Sequence, residues 1–235
     1  MQDFFLVIDT ETSGRPKKWD APYSDKEAWP HVLQVAWIIF DRNGEELKKE
    51  DHYLKIGDFT ISEASKKIHH ITENFLKREG KDRKQVFNIL AKDIAQYKPL
   101  IIAHFAELDY CMIEAECHRL AIPSPVNGSP LFCTLKASSS YVKNPTFKFL
   151  RLSAFYKTLF KTRPQNLHNA LNDAQLTAEI FFHLLNKGEV NPQLIEKHSM
   201  EIRTVKAKNY QNGDIYYIAI IIMIILIIAI YFYGK

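Results

Sequence analysis

The run Phe4-Phe-Leu-Val-Ile8 stops at Asp9-Thr-Glu11-Thr-Ser-Gly14. Consecutive apolar residues of this kind, bounded by turn formers, read as a strand buried on both faces, as the central strand of a mixed or parallel sheet must be. If the strand continues through Asp9 and Glu11, both carboxylates point to one face, because side chains alternate with period two. The Thr-Ser-Gly after them ends the strand. Taken alone, an Asp-x-Glu here also fits an ordinary solvated strand end.

Two later segments change that balance. Leu100-Ile-Ile-Ala-His104-Phe-Ala-Glu-Leu-Asp109 is a short apolar run leading into a helical pattern, and His168-Asn-Ala-Leu-Asn-Asp173-Ala opens another. Together the three segments supply four carboxylates, Asp9, Glu11, Asp109 and Asp173, and one histidine, His168. Carboxylates repel one another, so their convergence on one site requires a cation. Hard oxygen ligands suit Mg2+ or Mn2+. A histidine beside such a cluster points to metal-assisted hydrolysis with a general base.

The order of elements follows from periodicity and punctuation. Strands are expected over 4–9, 32–40 and 46–56, the last two joined by an Arg42-Asn-Gly44 hairpin turn. Helices are expected over 62–69 and 83–97. A short buried strand at 100–103 precedes a helix from about 108 to 120, and another strand covers 131–135. Residues 152–160 read as helix. Asn169 is the expected N-cap of a helix ending near Asn186, which leaves His168 in the preceding loop and Asp173 in the first turn. Residues 192–205 read as one more helix.

These segments resemble the DEDDh family of 3′→5′ exonucleases, that of the proofreading epsilon subunit of bacterial DNA polymerase III. Asp9 and Glu11 match its first motif, Asp109 its second, and His168 with Asp173 its third. Trp29 to Asp41 resembles its second strand, Lys67-Ile-His69-His70-Ile-Thr72 its I-H-G-I-T loop, and Phe132-Cys-Thr134 the strand after its second motif. Two positions depart: Phe105 replaces the asparagine that usually follows His104, and His70 replaces the loop glycine. The resemblance implies an α/β domain over 1–190 with a ribonuclease H-like mixed five-stranded sheet flanked by helices, Asp9 on its central strand. It implies two ions, Mg2+ or Mn2+, about 3.5–4 Å apart, held by Asp9, Glu11, Asp109 and Asp173. His168 would be the general base, a task that an imidazole's ordinary pKa near 6.5 suits. Thr10, Thr12 and His69 are expected at the substrate; His104 reads as structural. The expected substrate is nucleic acid with single-stranded 3′ ends, DNA favoured. An RNA exonuclease of the same fold and a catalytically idle membrane-anchored nucleic-acid-binding module are the alternatives. No obligate protein partner is inferred.

Charge adds a strand path. The chain has 31 Lys+Arg against 27 Asp+Glu, yet residues 117–172 contain no acid. That stretch holds Arg119, Lys136, Lys143, Lys148, Arg151, Lys157, Lys161 and Arg163, interleaved with aromatics. Basic residues of this kind can track a phosphate backbone, and Lys148 and Arg151 are the chosen contacts. Cys111, Cys117 and Cys133 form no C-x-x-C pair, which argues against a disulfide framework or a zinc site.

The carboxy-terminal sequence carries a separate expectation. Ile215 to Tyr233 has no charged residue. As a helix it would be about 28 Å long, near the hydrocarbon thickness of a bilayer. Residues 191–214 would be a helical linker and 215–233 a transmembrane helix in contact with a lipid bilayer. The first strand begins too near Met1 for a signal peptide, and Lys197, Arg203, Lys206 and Lys208 precede the span. The expected localisation is therefore a C-terminal tail anchor with the catalytic domain in the cytoplasm.

Overall fold

The computed structural model describes residues 2–203. Strand β1 (Phe4–Thr12) is the third of five in a sheet of order β3-β2-β1-β4-β5. It pairs antiparallel with β2 (Val32–Asp41), with Val7 opposite Ile38 and Asp9 opposite Ala36. It pairs parallel with β4 (Leu100–Ala103), with Val7 beside Ile102. β3 (Glu46–Tyr53) closes one edge through the 42–44 hairpin, where Gly44 takes φ 85°. β5 (Leu131–Cys133) runs parallel to β4 at the other edge. The sheet is thus mixed and five-stranded, with Asp9 on its central strand.

Burial of β1 on both faces follows its alternation. Leu6 and Ile8 pack with Val35, Trp37 and Ile39 against α3 (Arg83–Tyr97) and α4 (Ala106–Leu120). Phe5 and Val7 pack with Ile38, Phe40 and Phe132 against α7 (Ala170–Asn186). Phe181 of α7 meets the rings of Phe5 and Phe132 edge-on at 5.0 and 5.6 Å. The chain also forms the short helices α1 (Glu63–His69), α2 (Glu73–Glu79) and α5 (Thr134–Ala137), a 3-10 turn over Ser138–Tyr141, and α6 (Leu152–Phe160), whose Phe155 joins the α7 cluster.

Helix α2 was not expected from the sequence. It is seven residues long, too short for a clear period, and forms because Leu76 seals a third apolar cluster with Leu33, Ile61 and Ile71. The Thr72 side chain caps it at the Phe75 N–H. β5 also stops sooner than expected. At Thr134 the chain turns into α5, and the Thr134 hydroxyl reaches the Ala103 carbonyl at 3.4 Å and His104 Nδ1 at 2.9 Å.

Residues 192–203 are helical and dock on the edge strand. The Leu131 N–H donates to Ser199 Oγ at 2.8 Å, that hydroxyl donates to the Leu131 carbonyl at 3.1 Å, and the Cys133 N–H donates to His198 Nδ1 at 3.2 Å. Side chains thereby occupy the outer edge of β5, which would otherwise be open to pairing with another strand.

The transmembrane helix expected as part of this fold requires correction. Among the described residues no helix is long and apolar enough to cross a membrane. The longest described helix, α7, has 17 residues and an amphipathic pattern with Asp173 and Glu179 in it. The tail-anchored, cytoplasm-facing localisation and the bilayer contact rested on that helix and are withdrawn with it. Residues 204–235, which include 215–233, lie outside the described residues.

Candidate metal centre

The sheet's architecture carries the acids to one end. β1 presents Asp9 and Glu11 just past its apolar run, and a β-bulge between Glu11 and Thr12 re-aims the strand as it leaves the sheet. Asp109 is buried in the first turn of α4, and Asp173 is buried in the first turn of α7. The amino end of a helix favours negative charge. Asn169 caps α7 by accepting from the Asn172 N–H at 3.3 Å.

Long-range hydrogen bonds fix where α7 begins. The Ala170 N–H donates to Gln34 Oε1 at 3.2 Å, and Gln34 Nε2 donates to Asp51 at 2.7 Å. Asn169 Nδ2 donates to the Tyr53 hydroxyl at 3.2 Å. Gln34 and Tyr53 were not among the expected site residues. Both sit inside strand patterns that give no local sign of a partner on a distant helix.

All four carboxylates have raised pKa values. Asp9 is pushed well above the usual range, first by burial and then by the charges of Asp109, Asp173 and Glu11. Glu11 is pushed up to about 8 by burial, Asp173 and Asp109. Burial raises Asp109 to about 7, against the lowering effect of hydrogen bonds from Thr10. Burial raises Asp173 to about 6, opposed by the His168 N–H, which donates to Asp173 Oδ2 at 3.2 Å. Burial is the leading cause at all four, and neighbouring carboxylates add to it at Asp9, Glu11 and Asp109.

His168 is exposed and takes a left-handed φ of 65° just before α7. This turn brings one of its ring nitrogens within 4.8 Å of carboxylate oxygens of Glu11 and Asp173, a group able to hold a metal ion. The other oxygen of Asp173, Oδ1, is buried without a hydrogen-bond partner. A buried carboxylate oxygen left unpaired is costly, and a divalent cation would satisfy it. The donor set is the carboxylates of Glu11 and Asp173 and the His168 imidazole, with the Asp9 and Asp109 carboxylates close enough to act on them, so the residues fit a hard divalent ion.

The other expected site residues lie elsewhere or are otherwise engaged. The Thr10 hydroxyl is buried and donates to Asp109 Oδ1 at 2.8 Å. The Thr12 hydroxyl donates to the Gly14 carbonyl at 2.7 Å. Both ring nitrogens of His69 are used within the protein. Nδ1 accepts from the Ile71 N–H at 3.0 Å, so Nε2 carries the proton and donates to the Thr12 carbonyl at 3.2 Å. Burial lowers the His69 pKa and favours this neutral form. His104 is likewise held neutral, pushed down to about 4 by burial. His70 caps α1 at φ 59°, a left-handed position that explains why glycine suits it. Lys148 lines a separate cavity of about 860 Å³ with Lys136, Lys187 and Lys197, and its ammonium lies 5.3 Å from the Phe149 ring centre. None of the five motif residues lines that cavity. Arg151 is exposed and precedes α6.

The RNase_T family, described as exonuclease, matches residues 6–181. The chain belongs to this exonuclease family. Its motif residues make it a DEDDh-type exonuclease. The chain is similar to the nuclease domain of 3′hExo, a DEDDh family member solved with rAMP, at 15% identity and TM-score 0.63, over 80% of this chain and 94% of that one. It is similar to E. coli exonuclease I solved with a dT13 oligonucleotide, at 17% identity and TM-score 0.65. That match covers 78% of this exonuclease but only 41% of exonuclease I. Exonuclease X in complex with 5′ overhanging duplex DNA matches at 22% identity and TM-score 0.53, over 81% of this chain and 96% of that one. At such identities the solved structures establish the shared fold. No curated protein matches by sequence.

Proposed function

We propose that this exonuclease removes nucleotides from the 3′ end of DNA by metal-assisted hydrolysis of the terminal phosphodiester bond. The observation that carries the reading is the convergence of Asp9, Glu11, Asp109 and Asp173, with raised pKa values, around the unpaired Asp173 Oδ1. Asp9, Glu11 and Asp173 would hold two divalent ions, Mg2+ or Mn2+, with Asp109 supporting one of them. Bound ions of this kind neutralise the carboxylates and polarise the scissile phosphate.

The chain's own groups do the rest. Thr10 holds Asp109 in one rotamer through the 2.8 Å bond. The His168 backbone N–H holds Asp173 by one oxygen and leaves the other free for a cation. The His168 ring, exposed at the rim, takes the proton from the attacking water and passes it to solvent. His69, bonded at both nitrogens, stays out of proton transfer and fixes the loop after β1. Lys148 and Arg151 would meet the phosphates of the strand further from the cleaved end.

DNA is favoured by the oligonucleotide and duplex seen with exonucleases I and X. RNA is the second reading, favoured by the rAMP seen with 3′hExo. The test uses the full chain with Mg2+ on DNA and RNA oligonucleotides labelled at either end. Expected is early release of the 3′ label as mononucleotide, a shortening ladder from the 5′ label, and loss of both in EDTA or in Asp9→Ala. Early release of the 5′ label, or an Asp9→Ala rate equal to wild type, overturns the reading.

A further inference from the structure

Two adjoining cavities lie away from the metal centre. The first, of about 860 Å³, is lined by Lys136, Lys148, Lys187 and Lys197. The second, of about 390 Å³, is lined by Lys143, Lys161, His183 and the same Lys187. They share Ser140, Tyr141 and Lys187 as a common wall, so they form one track. None of the five motif residues lines either cavity. Lys187 and Lys197 also lie outside the acid-free stretch of 117–172.

Charge says what class of ligand fits. Among the described residues, these lysines share the track with two acids, Glu189 and Glu201, and both acids are engaged. The Tyr141 hydroxyl donates to the Glu189 oxygens at 2.7 and 2.8 Å, and Lys136 donates to Glu201 Oε2 at 2.6 Å. Lys161 and Lys187 cap the carboxy ends of α6 and α7, where a cation offsets the helix dipole. That role does not account for Lys143 and Lys148, exposed in the turn before α6, or for Lys197, exposed on the 192–203 helix. Cations gathered beyond what the local acids and helix ends call for draw in a polyanion. Phe147 separates nucleic acid from a bare anion. It lies between Lys143 and Lys148 in the chain and is 61% exposed. Asn144 fixes its turn, accepting from the Thr146 N–H at 3.0 Å through Oδ1 and from the Phe147 N–H at 3.1 Å through its carbonyl. An exposed ring in a fixed turn among lysines offers a base a stacking face.

Resting on the exonuclease reading above, we propose that the two cavities form a second nucleic-acid site, apart from the metal centre, that holds the substrate strand upstream of the end being cut. Lys187 ends α7 and Asp173 lies in its first turn, so about 21 Å of helix separates them. At about 3.4 Å per stacked nucleotide, roughly six nucleotides cover that distance. Substrates longer than this gain the second site, and shorter ones are gripped at the metal centre alone.

The test compares trimming, in Mg2+, of a DNA dinucleotide and of a single strand of about 15 nucleotides, and follows binding of the labelled long strand in EDTA by anisotropy. Lys143→Ala with Lys197→Ala takes one exposed lysine from each cavity. The double variant should lower kcat/KM for the long strand about 10-fold and flatten its salt dependence by about 1.4 in log–log slope, the worth of two single-strand phosphate contacts. The dinucleotide should be trimmed as by wild type, and Lys143→Arg with Lys197→Arg should keep the long strand's rate. Phe147→Ala should weaken binding of the long strand about 5-fold or more, the worth of one stacked base. An unchanged rate and salt slope on the long strand overturns the second site and leaves the exonuclease reading standing. So does an equal loss on both substrates. If the double variant loses only inhibition by added mononucleotide, the cavities hold free nucleotide and the strand site is overturned. No 3′ trimming by wild type, with binding of the long strand still weakened in the double variant, overturns the exonuclease reading and leaves the second site standing.

Discussion

The hydroxyl of Thr10 donates to Asp109 Oδ1 across 2.8 Å, tying the central strand to the first turn of α4. The bond stabilises the ionised carboxylate and partly offsets the burial that raises its pKa to about 7. Thr10→Val keeps the side-chain shape and removes the donor. The Asp109 pKa should then rise further, and the acid limb of the pH–rate profile should move to higher pH. An unmoved acid limb would show that Asp109 does not govern activity.

Without metal, the carboxylate cluster should make the protein less stable as pH rises. The values of about 6 for Asp173, 7 for Asp109 and 8 for Glu11 lie above the unfolded carboxylate range near 4. Between about pH 4 and pH 8 the folded metal-free protein therefore binds more protons than the unfolded chain, and stability falls through that window. Mg2+ should restore the loss most strongly near pH 8. Melting temperatures measured in EDTA and in Mg2+ should diverge as pH rises; parallel curves would remove the cluster as the metal site. Asp9→Asn should flatten the EDTA curve.

His168→Ala should lower kcat by about 10²- to 10⁴-fold and leave KM nearly unchanged, the signature of a lost general base. Steady-state kinetics on a labelled oligonucleotide separates the two constants. A raised KM with intact kcat would make His168 a substrate contact.

Gln34→Ala should destabilise the fold by about 1–3 kcal/mol, because it leaves the buried Ala170 N–H without its acceptor. The start of α7 should loosen with it, so Mg2+ affinity should weaken although Gln34 touches no ion. Chemical denaturation gives the first quantity and calorimetric Mg2+ titration the second. Lost stability with unchanged Mg2+ affinity would detach α7's anchoring from the metal centre.

The sequence by itself determined the central strand, the β4 bounds of Leu100–Ala103, the α3 and α6 bounds and the Asn169 cap. Such features are written within a few residues, as unbroken apolar runs or as a capping side chain next to its helix. It also marked all five motif residues, because the family resemblance lies in short segments that need no knowledge of their distance in space. Tertiary structure alone decided what holds those segments together. Thr10 finds Asp109 at a separation of 99 residues, and Gln34 finds Ala170 at 136. No local pattern encodes a partner that far along the chain. The same limit explains His69, expected at the substrate but closed off by the Ile71 N–H and the Thr12 carbonyl, and α2, which exists only because Leu76 completes a cluster. It also explains Phe105. Its left-handed backbone is set by the turn from β4 into α4, which only folding establishes.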